Sequence, residues 1–266
     1  MGFKAVDLNP WTILKISGPD KLSYLNGITT FDLEKLKEIK ICQTAFLAPN
    51  AKIRSVFWLS EIDDHYIIYT PPQMRENLIA DLLKYKLDMN IKLEDIQEET
   101  PPLYLIRSDA ENKYTIKFGN VLFEFHQTKD KLDETIDYTT FEEWMVKNED
   151  IPIKIFIDQN PLEAGISNAI TLEKGCFLGQ EPLSRMYHRG RPRKFLYQII
   201  TNSILLNELF IDNISVGNVL QSVQSGDQHI SIVYIKSSVN LSDKLIFDNI
   251  THSSLKRIGS YLNIER

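Results

Sequence analysis

The chain has 266 residues, 43% of them hydrophobic and 10% aromatic, with a formal net charge of −6. That much apolar material supports a large core or two to three coupled subdomains. The acidic balance argues against general nucleic-acid binding, and no run reaches the roughly 18 to 20 apolar residues of a membrane-spanning helix.

At the start, MGFKAVDLNPWTILKIS lacks a basic, apolar leader, and Val6 stands where N-myristoylation needs serine or threonine, so neither export nor a lipid anchor is expected. The alternation in WTILKIS predicts a strand, and Gly18-Pro19-Asp20 predicts a turn into a short helix, KLSYLNG. Cys42 lies in the strand-like run ICQTAFLA and reads as core. IRSVFWLS and HYIIYT flank the acidic turn Glu61 to Asp64 as a hairpin, and Pro71-Pro72 precede an amphipathic helix with Leu78, Ile79, Leu82, Leu83 and Tyr85 mostly on one face. The order then repeats. YTIKF and VLFEFHQ are joined by Gly119-Asn120, and Thr140-x-x-Glu143 predicts a capping box opening the helix FEEWMVKN.

Past a basic stretch the pattern changes to short β-rich runs, FLYQIIT, VLQSVQS, HISIVYI and KLIFD, separated by turn residues. Two similar α+β subdomains over residues 1–194, followed by an antiparallel β-barrel over 195–266, are the expected α+β architecture. No Pro-, Gly- or Ser-rich linker separates the last part, so it is expected to pack on the others.

Pro161 to Arg193 carries the chemistry: PLEAGISNAITLEKGCFLGQEPLSRMYHRGRPR. Gly175 and Gly179 bracket Cys176, and glycine lets a backbone approach a ligand closely or adopt positive φ. Gln180 and Glu181 can pair with the donor and acceptor edge of a flat heterocycle. Lys174 is placed to favour a thiolate at Cys176, against the alternatives of an exposed lysine and an inert packed cysteine. Arg185, Arg189, Arg191, Arg193 and Lys194 put five positive charges within ten residues, which suits an anionic small ligand or a solvated loop equally. Cys42 and Cys176 form no CxxC pair, and His65, His126, His188, His229 and His252 show no ligand spacing, so no metal site is expected. Trp11, Trp58 and Trp144 read as packing residues, with Trp58 an alternative wall for a ligand cleft.

These residues resemble a known pattern. Lys174-Gly175-Cys176-Phe177-x-Gly179-Gln180-Glu181 resembles the K-G-C-[YF]-x-G-Q-E signature of the YgfZ family, relatives of the glycine-cleavage T proteins and other aminomethyltransferases. Pro161-Leu162-Glu163, Leu25-Asn26-Gly27-x-x-Thr30-x-Asp32, Pro49-Asn50-Ala51-Lys52-Ile53 and Val216-Gly217 resemble further family segments in the same order. The resemblance implies three subdomains arranged as a ring around a cleft for tetrahydrofolate or another reduced folate. It implies Cys176 and Lys174 as the reactive pair, with Asn26, Glu163, Gly175, Gly179, Gln180, Glu181, Arg185 and Arg189 around the folate. Glu163 and Glu181 would meet pterin donors, and Arg185 with Arg189 and Arg191 the glutamate tail. The implied role is a cytoplasmic, monomeric accessory factor for iron-sulfur proteins, including enzymes that modify transfer RNA, without direct nucleic-acid or membrane binding.

A T-protein-like transferase or demethylase is the alternative. The hairpin stretch Ala51 to Val56, however, lacks the carboxylate those relatives use. An RNA-contacting module working through Arg189-Gly190-Arg191-Pro192-Arg193 ranks last, since aromatic residues are not interleaved there beyond Tyr187. Two departures from the family pattern, Asn26 for the usual glutamine and Ala51 for the hairpin glycine, fall at one edge of the expected cleft.

Overall fold

The computed structural model describes residues 2–118, 120–205, 207–241, 246–247 and 250–261. Its first sheet runs in the order Ile41–Leu47, Ile53–Ile62, His65–Thr70, Thr12–Ser17, Lys92–Asp95, with every neighbouring pair antiparallel. The predicted hairpin pairs Ile62 with His65, and Asp63 turns the chain at φ 50°, a conformation that aspartate tolerates. Helix α1 (Lys21–Ile28) follows the Gly18-Pro19-Asp20 turn, and α2 (Arg75–Lys84) follows Pro71-Pro72. Leu78 and Leu82 of α2 join Leu14, Leu25, Phe46 and Phe57 in one core. Leu83 is exposed, so the apolar face of α2 is narrower than the sequence suggests. Asp81, also buried on α2, accepts from Arg54 Nε at 2.6 Å.

The second sheet runs Thr135–Asp137, Ala5–Asp7, Leu103–Ser108, Val121–Gln127, Ile116–Phe118. Its N-terminal strand, Ala5–Asp7, pairs in parallel with Thr135–Asp137, so the two α+β units are not consecutive blocks of sequence. Phe118 pairs with Val121 as the Gly119-Asn120 turn requires, Gly119 itself lying outside the described residues. Helix α3 (Tyr138–Lys147) begins two residues before the expected Thr140 cap. Asp137 Oδ1 accepts from Thr140 N at 2.8 Å, because the strand ending at Asp137 runs straight into the helix and puts the better capping side chain first.

In the third sheet the order is Glu208–Ile211, Ile214–Ser225, Gln228–Lys236, Lys194–Thr201, Ile250–Arg257, Ile246–Phe247. Its two end strands are not paired with each other among the described residues, so the closure expected of a barrel is not seen there. Residues 244–245 and 248 of the predicted run KLIFD lie outside the described set. The sheet is locked to α3, where Gln198 Nε2 donates to Val146 O at 2.6 Å.

Side chains from all three sheets meet in one apolar cluster that includes Trp11, Trp58, Phe141, Leu196 and Tyr234. Trp11 lies 5.4 Å from both Trp58 and Tyr138, and Tyr69 stacks on Phe125 at 4.5 Å. Each such ring contributes about 2 to 3 kcal/mol through burial, plus about 1 kcal/mol per ring pair. Trp58 is therefore a packing residue.

Candidate functional site: a thiol loop and the helix that follows it

The strand Ile41–Leu47 fixes where the site forms, because the Cys176 segment lies against its end. Gly179 caps α4 (Gln180–Arg189) at φ 79°. A Cβ there would stand 2.6 Å from Ala48 O and 3.0 Å from Leu47 Cβ, so only glycine fits. Gly175 differs: it has no left-handed φ, and a Cβ would meet nothing within 4 Å. The positive φ expected of these glycines is found at Gly179, where the close neighbour is the protein's own backbone, and not at Gly175, which faces open space.

Between them, loop 171–179 is stitched to the end of α1. Thr171 N donates to Thr30 O at 2.9 Å, Leu178 N to Gly27 O at 3.2 Å, and Thr30 Oγ1 to Ala169 O at 2.7 Å. Lys174 Nζ donates to Asn26 O at 2.8 Å, to Asn26 Oδ1 at 3.1 Å and to Phe31 O at 2.8 Å. An ammonium has three donors, and all three are used here. The N–H bonds of Lys174 thus go to α1 and the turn after it, so any influence on Cys176 acts through its charge and not through a hydrogen bond. Burial pulls its pKa down to about 8, against the opposing pull of Asp32. Asn26, expected at a ligand, also accepts from Leu33 N at 3.1 Å and anchors this tie.

Gln180 is committed as well, its Oε1 accepting from Phe177 N at 3.3 Å and its Nε2 donating to Leu172 O at 2.9 Å. It braces the loop from both ends of its amide, which keeps one further lone pair and one further N–H, and it also lines the groove beside Cys176. Cys176 itself is exposed, whereas Cys42 is buried and its thiol is pushed well above its ordinary range by desolvation.

Helix α4 buries Leu183 and turns Glu181, Arg185 and His188 outward on one face. Together with Cys176 and Phe177 these line an open groove of about 680 Å³, a size typical of small-molecule clefts. Glu181 pairs with Arg185 at 3.0 Å, both side chains being largely exposed, 84% and 69%. The side chain of Arg189, at the end of α4, lies outside the described set. His188 lines the same groove as Cys176, although in the sequence it stands as an isolated histidine. Its spacing of three from Arg185 and seven from Glu181 was the available signal.

Glu163 is not among the residues lining this groove. It is 9% exposed, and its Oε1 accepts from Arg193 N at 3.1 Å where the third sheet begins. Close by, Lys194 Nζ donates to Gln159 Oε1 at 2.9 Å and sits 3.9 Å from the Tyr234 ring centroid. Desolvation lowers its pKa, against the pull of Glu163. Gln159 and Tyr234 carried no sequence signal, since the fold alone brings them to Lys194. Among the described residues no group of three or more His, Cys, Asp or Glu is placed to hold a metal, and no helix is long and apolar enough to cross a membrane.

No protein-family model matches the chain. Its three-sheet α+β fold is that of the aminomethyltransferases. Aminomethyltransferase T of the glycine cleavage system from Bartonella henselae matches with a TM-score of 0.72 over 96% of this chain and 84% of that one, at 12% identity. In sequence, the tRNA-modifying protein YgfZ of Aliivibrio fischeri strain MJ11 is 25% identical, covering 73% of this chain and 70% of the relative. The YgfZ protein of Blochmanniella pennsylvanica is 23% identical over 94% and 92%. A putative chloroplastic transferase of Arabidopsis thaliana is 23% identical over 88% and 66%. The chain fits a YgfZ-type family with an aminomethyltransferase-like fold.

Proposed function

We propose that this protein binds tetrahydrofolate or another reduced folate and uses the Cys176 thiol beside it in the assembly or repair of iron-sulfur clusters. The relatives' name, tRNA-modifying protein, supports clients among enzymes that modify transfer RNA. One observation carries the reading: the sulfur of Cys176 stands exposed on an open groove instead of being sealed in the core. The groove's donor set fits an anionic ligand with a flat, N–H-bearing ring. Arg185 and His188 would meet carboxylates, Glu181 would accept from ring donors, and Phe177 offers an aromatic wall. Glu163, buried beside Lys194, is the second candidate for a pterin edge.

In this reading residues 1–194 carry the folate site, residues 195–266 complete a ring as a barrel, and the protein acts as a cytoplasmic monomer. Cys42 is buried, so a cluster held as cargo would draw its further ligands from a partner or a small thiol. The fold match to aminomethyltransferase T supports a folate-dependent transferase as the second reading. Against it, Asp81, the carboxylate bonded to Arg54 of the hairpin, is tied up in that ion pair and poorly placed to act as a base.

Calorimetric titration with reduced folates tests the proposal, using Cys176→Ala, Glu181→Ala and Glu163→Gln. Folate is expected to bind the wild type and Cys176→Ala with nearly equal affinity and at least one carboxylate variant much more weakly, while Cys176→Ala fails to support iron-sulfur enzymes in cells. No heat with any reduced folate, or full complementation by Cys176→Ala, would sink it.

A further inference from the structure

We propose that Lys174 is the positioning residue of the Cys176 thiol, its ammonium acting as a clip that fixes the thiol-bearing loop onto the end of α1. The inference rests on Cys176 being the working group at the groove. Three oxygens at 2.8, 2.8 and 3.1 Å take the three N–H bonds of Lys174, and the residues supplying them lie 143 to 148 positions away in sequence. One side chain thereby joins two distant segments at the point where the loop turns outward. The same cation stands 5.3 Å from the Phe177 ring centroid, so the residues on both sides of Cys176 are held through one charge.

The clip's anchor is itself fixed. Asn26 Oδ1 accepts from Leu33 N as well as from Lys174, and backbone bonds at Thr171 and Leu178 hold the two ends of the loop. Without the ammonium, those end ties would remain while the middle of the loop lost its attachment to α1. The charged group acting on it is Asp32, on the turn after α1, which favours the ammonium, while desolvation opposes it. A lysine is held in a costly, desolvated position two residues before the exposed thiol, a cost tolerated where it orders a working group.

The test compares Lys174→Met and Lys174→Arg in the full chain by amide hydrogen exchange, global unfolding, and the rate at which iodoacetamide labels Cys176. Lys174→Met is expected to speed exchange about tenfold or more within residues 171–179 and to change the labelling rate, with the rest of the chain close to wild type. Lys174→Arg, which keeps charge and donors, restores slow exchange. Wild-type exchange in Lys174→Met, acceleration spread along the whole chain, or no recovery in Lys174→Arg overturns the clip. Failure of the thiol reading alone would look different: the exchange effect would persist while Cys176→Ala complemented fully.

Discussion

Loop 171–179 and helix α4 are neighbours in sequence and use their polar groups in opposite directions. In the loop and its first helical brace, Thr171, Lys174 and Gln180 turn inward onto carbonyls and amides of the protein itself. From the very next residue, Glu181, Arg185 and His188 of α4 face solvent across a groove. A motif of eight consecutive residues thus contains distinct physical demands: a left-handed backbone at Gly179, a junction at Lys174 and Gln180, and an exposed reactive atom at Cys176. The two candidate carboxylates divide in the same way, Glu163 being buried on a backbone amide and Glu181 exposed beside Arg185. Motif identity alone does not say which residues a ligand touches.

The largest expected effect falls at the joint between the two regions. Gly179→Ala forces a side chain into a left-handed conformation and drives its Cβ against Ala48 O, so a loss of about 2 to 4 kcal/mol is expected in denaturant unfolding. Gly175→Ala, four residues earlier in the same motif, has room for its methyl group and is expected to stay within about 0.5 kcal/mol of wild type. Equal losses at both glycines would mean that the chain packs as tightly around Gly175 as around Gly179.

Why the sequence reveals one region better than the other follows from the range of the interactions. Strand alternation, the Gly18-Pro19-Asp20 turn and the hairpin before His65 are local, and all three are legible. The pairing of Ala5–Asp7 with Thr135–Asp137 is not, because a three-residue strand carries no periodic signal and its partner lies about 130 residues away. At the site, Cys176 and Gly179 were legible as a glycine-flanked thiol. The bonds of Lys174 are not legible there, because its acceptors, on Asn26 and Phe31, lie near position 30. Two segments of the family pattern that look unrelated along the chain, around Asn26 and around Lys174, prove to be the two sides of one junction.

A smaller effect sharpens the inward-facing half. Lys174 has a folded-state pKa of about 8, below its ordinary 10.5, because burial disfavours the charge. Between those values the unfolded chain binds more protons than the folded one, so stability rises with pH from about 8 towards 10.5 and gains nothing from this group below 8. The expected gain is about 1 to 2 kcal/mol between pH 8 and 9.5, read as an upward shift of the unfolding midpoint relative to Lys174→Met over the same range. Parallel pH curves for the two proteins would place the Lys174 ammonium in solvent and break the contrast between loop and helix.

The smallest expected effect belongs to the outward half. Glu181 and Arg185 form an exposed i,i+4 pair in the first turns of α4, where such pairs contribute about 0.3 to 0.5 kcal/mol and a carboxylate near a helix start adds a similar amount. Glu181→Ala should therefore lower stability by under about 1 kcal/mol, and added salt should shrink even that, since screening removes both contributions. If Glu181 does meet a ligand, the same variant weakens binding far more than it weakens the fold. A stability loss as large as that of Gly179→Ala would instead show that Glu181 turns inward like its neighbour Gln180, and the groove would lose its acidic side.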